Sequence, residues 1–159
     1  MANGVFNIAK GRAAELWNNV KTDDPTAAVL RVFLMKANEA ESTLIDRDTI
    51  SAVFAEAGST EADFTNYTNK SIATAALSAI SLGTDDTNDL QDADIPDQTW
   101  TSAGGASNNT LTKLIVAYDP DGTDTDTGTI PLTHHDFAIT TNGGDLTAQI
   151  NTEGFFRAS

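Results

Sequence analysis

The sequence predicts an α+β fold, one domain spanning residues 1–159, in which an N-terminal helix and one short helix pack on a mainly antiparallel β-sheet or β-sandwich. Three observations carry this. Helical periodicity is concentrated in the first third of the chain; two nearly continuous apolar runs of strand length follow, at residues 27–35 and 110–118; and the last thirty residues alternate apolar and polar positions. A helical bundle of this size would be richer in Leu, Glu and Lys.

From Asn7 to Lys21, Ala9, Ala13, Leu16, Trp17 and Val20 fall on one helical face, with Asn7 as a possible cap. Thr22-Asp23-Asp24-Pro25 ends the helix, because the residue before proline is pushed out of the helical region. Trp17 is read as a core or interface anchor rather than part of a cofactor site. Ala27 to Met35 then reads as a central strand covered on both faces, with Arg31 snorkelling at the edge of the core. Asp46 to Thr49 offer capping residues for a short helix through Ile50, Val53, Phe54 and Ala57, stopped by Gly58.

Phe64 to Ile80 is read as one or two strands, and Leu82 to Asp97, with six aspartates, as an exposed acidic loop. Gln98 to Ser102 forms a short strand bearing Trp100, and Thr110 to Tyr118 the second strong strand. Phe137, Ile139 and Thr141 alternate with polar or small neighbours, as do Leu146, Ala148 and Ile150 beyond Asn142-Gly143-Gly144-Asp145. That pattern predicts a hairpin whose buried face is Phe137, Ile139, Leu146, Ala148 and Ile150, with Gly154-Phe155-Phe156 finishing either this sheet or an intersubunit contact.

A formal charge of −14 and the absence of cysteine narrow the function. The charge repels nucleic acid and anionic membranes, and thiolate catalysis, disulfides and cysteine-ligated zinc are excluded. No run approaches the length of a membrane span, and the first residues lack the pattern of an export signal. Phosphate-binding loops, the serine-nucleophile elbow and the dinucleotide glycine pattern are missing, so no enzyme or cofactor is expected. Asp119, Asp121, Asp124 and Asp126 are weak calcium candidates: several carboxylates share one loop, but Gly122 follows the second aspartate directly, which is wrong for an EF-hand. His134 and His135 are adjacent on a strand, so they point to opposite faces and cannot converge on one ion.

Phe6 to Arg12 opening a helix, Asn66 to Lys70, Ile95-Pro96-Asp97 before Trp100, Lys113 to Asp119, and the block from Pro131-Leu132-Thr133-His134-His135-Asp136 to Gly154-Phe155-Phe156-Arg157 together resemble a family of small structural proteins of tailed bacteriophages, described as minor capsid or capsid decoration proteins. The resemblance spans nearly the whole chain; the acidic stretch at 82–94 and the loop at 121–128 lie outside it. It implies a virion location on the capsid exterior, assembly in the bacterial cytoplasm, the major capsid protein as partner, and no catalytic residues. Symmetry of such a shell favours a homotrimer, with Trp17, Phe155 and Phe156 as interface candidates. The alternatives are another virion component, such as a tail-tube, neck or fibre-base protein, and a calcium-dependent receptor- or carbohydrate-binding module.

Overall fold

The computed structural model describes residues 3–80 and 83–158 and has the mixed α+β architecture of one compact domain. Its strands are β1 (Gly4–Val5), β2 (Val29–Ala37), β3 (Thr60–Glu61), β4 (Lys70–Ile72), β5 (Thr84–Asp85), β6 (Leu90–Ala93), β7 (Gln98–Trp100), β8 (Lys113–Asp119), β9 (Ile130–Asp136), β10 (Leu146–Ala148) and β11 (Phe156–Ala158). The helices are α1 (Ala13–Thr22), α2 (Glu41–Leu44), α3 (Ile50–Ala55) and α4 (Thr74–Leu77).

The main sheet runs β1-β9-β8-β2-β3 with β4 also paired to β2, and every pairing is antiparallel. At its centre β2 and β8 align Val32 with Val116, and Val29 through Met35 are buried without a break. The apolar run at 27–35 is therefore a strand covered on both faces, as its composition requires. One face carries Phe33, Ile115 and His134, and Phe33 meets Phe54 of α3 edge to face. The other carries Leu34, Val116 and Tyr118, and the Tyr118 hydroxyl meets the Asn19 side chain of α1. The small sheet β11-β6-β5 packs against α1, and β10-β7 forms a second small sheet.

The predicted first helix is split. Residues 7–9 form a 3-10 turn and Gly11 takes φ +79°, so α1 begins at Ala13 and Asn7 does not cap it; the Asn7 amide instead donates to Asp46. Leu16, Trp17 and Val20 do form its buried face. Thr49 caps α3 through its hydroxyl, which accepts from the Ala52 N–H at 3.1 Å. The short helices α2 and α4 have no strong periodic signal, because four residues are too few to display one.

Two expectations about the strands are also corrected. Within 82–97 Thr84–Asp85 and Leu90–Ala93 are strands rather than loop, joined by an exposed turn at residues 86–89 that keeps Asp86 and Asp89 at the surface; Asp92 is buried, and Leu82 lies outside the described residues. The reason is a partner remote in sequence: Arg157 of β11 grips Asp92 through two hydrogen bonds of 2.6 and 2.9 Å. The hairpin at 137–150 is not formed either. Leu146 pairs with Trp100, and residues 137–140 run irregularly beside the entry to β8, with Phe137 N–H donating to Thr112 O and Leu111 N–H to Ile139 O. The turn between them is tied elsewhere, Gly143 N–H donating to Ala103 O at 2.7 Å. Leu146 and Ala148 are buried as expected, Phe137 and Ile150 are half-buried, and Ile139 is 43% exposed.

Candidate functional site

Arg31 does not snorkel. Its guanidinium is buried against Asp119, with Nε and Nη2 both 3.0 Å from Oδ2, and Nη2 also donates to Gly122 O at 3.1 Å. Asp119 Oδ1 accepts from the N–H groups of Asp121 and Gly122, and Oδ2 from that of Asp124. The aspartate loop is thus wound around an internal ion pair, which takes up the hydrogen-bonding capacity a cation would need. Asp121 turns outward to Thr123, whose hydroxyl and N–H hold its carboxyl below the usual range. Burial, reinforced by Asp124, pushes Asp126 above it. Among the described residues no three His, Asp or Glu side chains are placed to hold a metal ion.

His134 and His135 project from opposite faces of β9, as strand geometry demands. His134 lies in the layer beneath α2 and α3, beside the buried Lys113 ammonium and its two carboxylate partners. There Lys113 Nζ, on the strand opposite, donates to Glu41 Oε1 at 2.7 Å and to Asp136 Oδ1 at 2.8 Å. Burial pulls the Lys113 ammonium down, but these two carboxylates outweigh it and hold its pKa above the ordinary value. The imidazole meets Phe6 edge to face, and among the described residues neither ring nitrogen has a hydrogen-bond partner.

His135 opens into a recess of about 370 Å³ on the other face. Leu114 and Val116 of β8 form its apolar floor, Ala148, Ile150 and Phe155 line the chain-end side, and Asn3, Asp136 and Asn151 bring polar groups. His135 Nε2 lies 2.9 Å from Thr133 Oγ1. Burial, then the neighbouring His134 and Lys113, lower its pKa to about 4, so the recess presents a neutral imidazole at physiological pH. The recess thus combines an apolar floor with a neutral imidazole and the Asp136 carboxylate.

The C-terminal segment that closes this recess is fixed by backbone geometry. Gly154 has φ +85°, and a Cβ there would stand 2.3 Å from Ala93 O; the next residue donates its N–H to that carbonyl at 3.0 Å. Phe155 is thereby buried while Phe156 is left half-buried on β11. Of the three aromatic interface candidates, Trp17 is in the core with its indole N–H on Asp94 O at 2.6 Å, and only Phe156 keeps appreciable exposed surface. The recess itself was missed by sequence reading, since His135, Val116 and Phe155 share no local pattern. A second open cleft, of about 510 Å³, lies between α1 and β5-β6, where Lys21 sits over the Trp17 ring. Comparison with family models, with curated proteins and with solved structures finds no match for this chain.

Proposed function

We propose that this protein decorates the outside of a bacteriophage head, binding the major capsid protein and stabilising contacts between its subunits. The observation that carries this reading is the series of resembling segments spread along the chain. In the fold they are the framework: Lys113 to Asp119 is β8, Pro131 to Asp136 lies in β9, Phe6 to Arg12 leads into α1, Asn66 to Lys70 leads into β4, and Gly154 to Arg157 enters β11. The two stretches outside the resemblance are the β5-β6 hairpin and the loop wound on Arg31, both peripheral to the main sheet.

The electrostatics support the same reading. A charge of −14 on the coat of a particle keeps particles mutually repulsive. The polar groups that might have served chemistry are engaged in the fold: Asp119 with Arg31, Asp92 with Arg157, and Lys113 with Glu41 and Asp136. On this reading the recess beside His135 and the adjacent Phe156 form the face that meets the shell, and the domain assembles as a homotrimer at local three-fold positions.

The test is stoichiometric binding of purified protein to expanded heads. Saturable binding supports the proposal, and its absence overturns it. Copy number separates the nearest alternative: decoration requires on the order of hundreds of copies per particle, whereas a neck or fibre-base component would be present in tens or fewer.

A further inference from the structure

A buried imidazole whose two nitrogens both lack a hydrogen bond costs stability, and a protein retains such a group against a steady thermodynamic penalty. His134 is in that position: it is 2% exposed and has no hydrogen-bond partner among the described residues. What covers it is the N-terminal strand. Gly4 is paired directly opposite His134, and a Cβ on Gly4 would lie 2.5 Å from His134 Nε2, so backbone without a side chain is what fits over the ring.

That strand pairs at only two positions, with the fully buried Phe6 anchoring its end. It is two residues long and sits at the edge of the main sheet. Flanking it, the Phe6 N–H donates to Leu132 O at 3.0 Å, and Asn3 Oδ1 accepts from the Asp136 N–H at 3.0 Å. We propose that β1 is an acid-released latch: protonation of His134 forces the N-terminal strand off the edge of β9 while the β2-β8 centre stays folded.

The surroundings give the direction. Lys113 of β8 is the cation facing His134, and Glu41 of α2 and Asp136 of β9 are the anions; His135 projects from the opposite face. Glu41 and Asp136 already serve Lys113, so a second positive charge would enter a site whose carboxylates are engaged. Burial and Lys113 both disfavour the imidazolium and lower its pKa, against the smaller opposing effects of Glu41 and Asp136. The least costly way to hydrate the charge is to lift the two-residue strand rather than the packed layer of α2 and α3. Release frees the Leu132 carbonyl and the Asp136 N–H on the β9 edge, groups through which a strand of another chain can pair. The device is independent of any position on a capsid.

Amide hydrogen exchange on the full chain tests it, measured by NMR over a pH series from about 7.5 to about 5 alongside the histidine ring resonances and corrected for intrinsic exchange. The Phe6 and Asp136 amides should lose protection by about tenfold or more relative to the β2-β8 ladder, with a midpoint that follows the His134 ring resonances. His134→Leu should abolish the pH dependence. Should that variant fail to fold, the wild-type comparison of midpoints still decides. The latch is overturned if the Phe6 amide stays protected at low pH, if it opens together with the β2-β8 ladder, or if its midpoint follows a carboxylate instead of His134.

Discussion

Arg31 and Asp119, 88 residues apart in sequence, form a buried ion pair at 3.0 Å at one end of the β2-β8 pair, and the aspartate loop is wound around it. The side chains are 8% and 1% exposed, so neither charge can turn to water if its partner is removed. Asp119→Ala should therefore cost about 3–5 kcal/mol in urea unfolding, because it leaves the buried guanidinium with only Gly122 O and the exposed Asp124 at 3.6 Å and strands three backbone N–H groups. The double change Arg31→Met with Asp119→Leu should cost less than Asp119→Ala alone, since it leaves no unpaired charge.

The same pair bears on calcium. Both Asp119 oxygens are already accepting hydrogen bonds, and Asp121 is turned to Thr123. Millimolar calcium or EDTA should leave the melting temperature unchanged. A calcium-dependent rise would revive the binding-module alternative, because a ligand that binds only the folded state must stabilise it.

Stability should fall as the solution is acidified from about pH 6.5 towards pH 4. His135 has its folded pKa lowered to about 4 by burial, so in this window the unfolded chain takes up a proton that the folded chain does not. The contribution is complete above the unfolded value and is lost as pH falls, amounting to about 2–3 kcal/mol over the window. His134 acts in the same direction. Glu61 and Asp126, raised by burial, act oppositely, since they are penalised at high pH and relieved as they protonate. Comparing the slope of wild type with that of His135→Gln isolates the His135 share.

Gly154 and Gly11 both adopt positive φ, at +85° and +79°, but their surroundings differ. A Cβ at Gly11 meets nothing within 4 Å, whereas one at Gly154 meets the Ala93 carbonyl at 2.3 Å. Gly11→Ala should cost about 1 kcal/mol, the conformational penalty alone. Gly154→Ala should cost several times that and detach β11, read as loss of protection at the amides paired between Phe156 and Ala93.

How far the sequence discloses the molecule follows from the range of the forces involved. The buried run through Leu30, Val32 and Leu34 announces β2, and Thr49 announces α3, because burial on both faces and capping leave local patterns. The residues from Phe137 to Ile150 carry an equally good local pattern and do not form the hairpin it suggests, since Trp100 and Thr112 are the partners that win. Asp92 is legible as acidic but not as buried, as Arg157 lies 65 residues away. The recess is assembled from β8, β9 and the C-terminal segment, and nothing in any one of them signals a hollow. His134 and His135 are the exception: alternation along a strand was enough to separate them.

The aromatic interface candidates can now be told apart by experiment. Trp17 is 1% exposed, packs in the central core and donates its indole N–H to Asp94 O, so Trp17→Ala should cost about 3–5 kcal/mol whatever the protein binds. Phe156 is half-buried on a three-residue edge strand that Arg157 anchors independently through Asp92. Phe156→Ala should therefore cost less than about 2 kcal/mol in denaturant unfolding. If the C-terminal face meets the shell, that same substitution should weaken binding to expanded heads by tenfold or more, about 1.4 kcal/mol. Unchanged affinity with an intact fold would remove the C-terminal face as the docking surface and leave decoration itself to be judged by saturable binding.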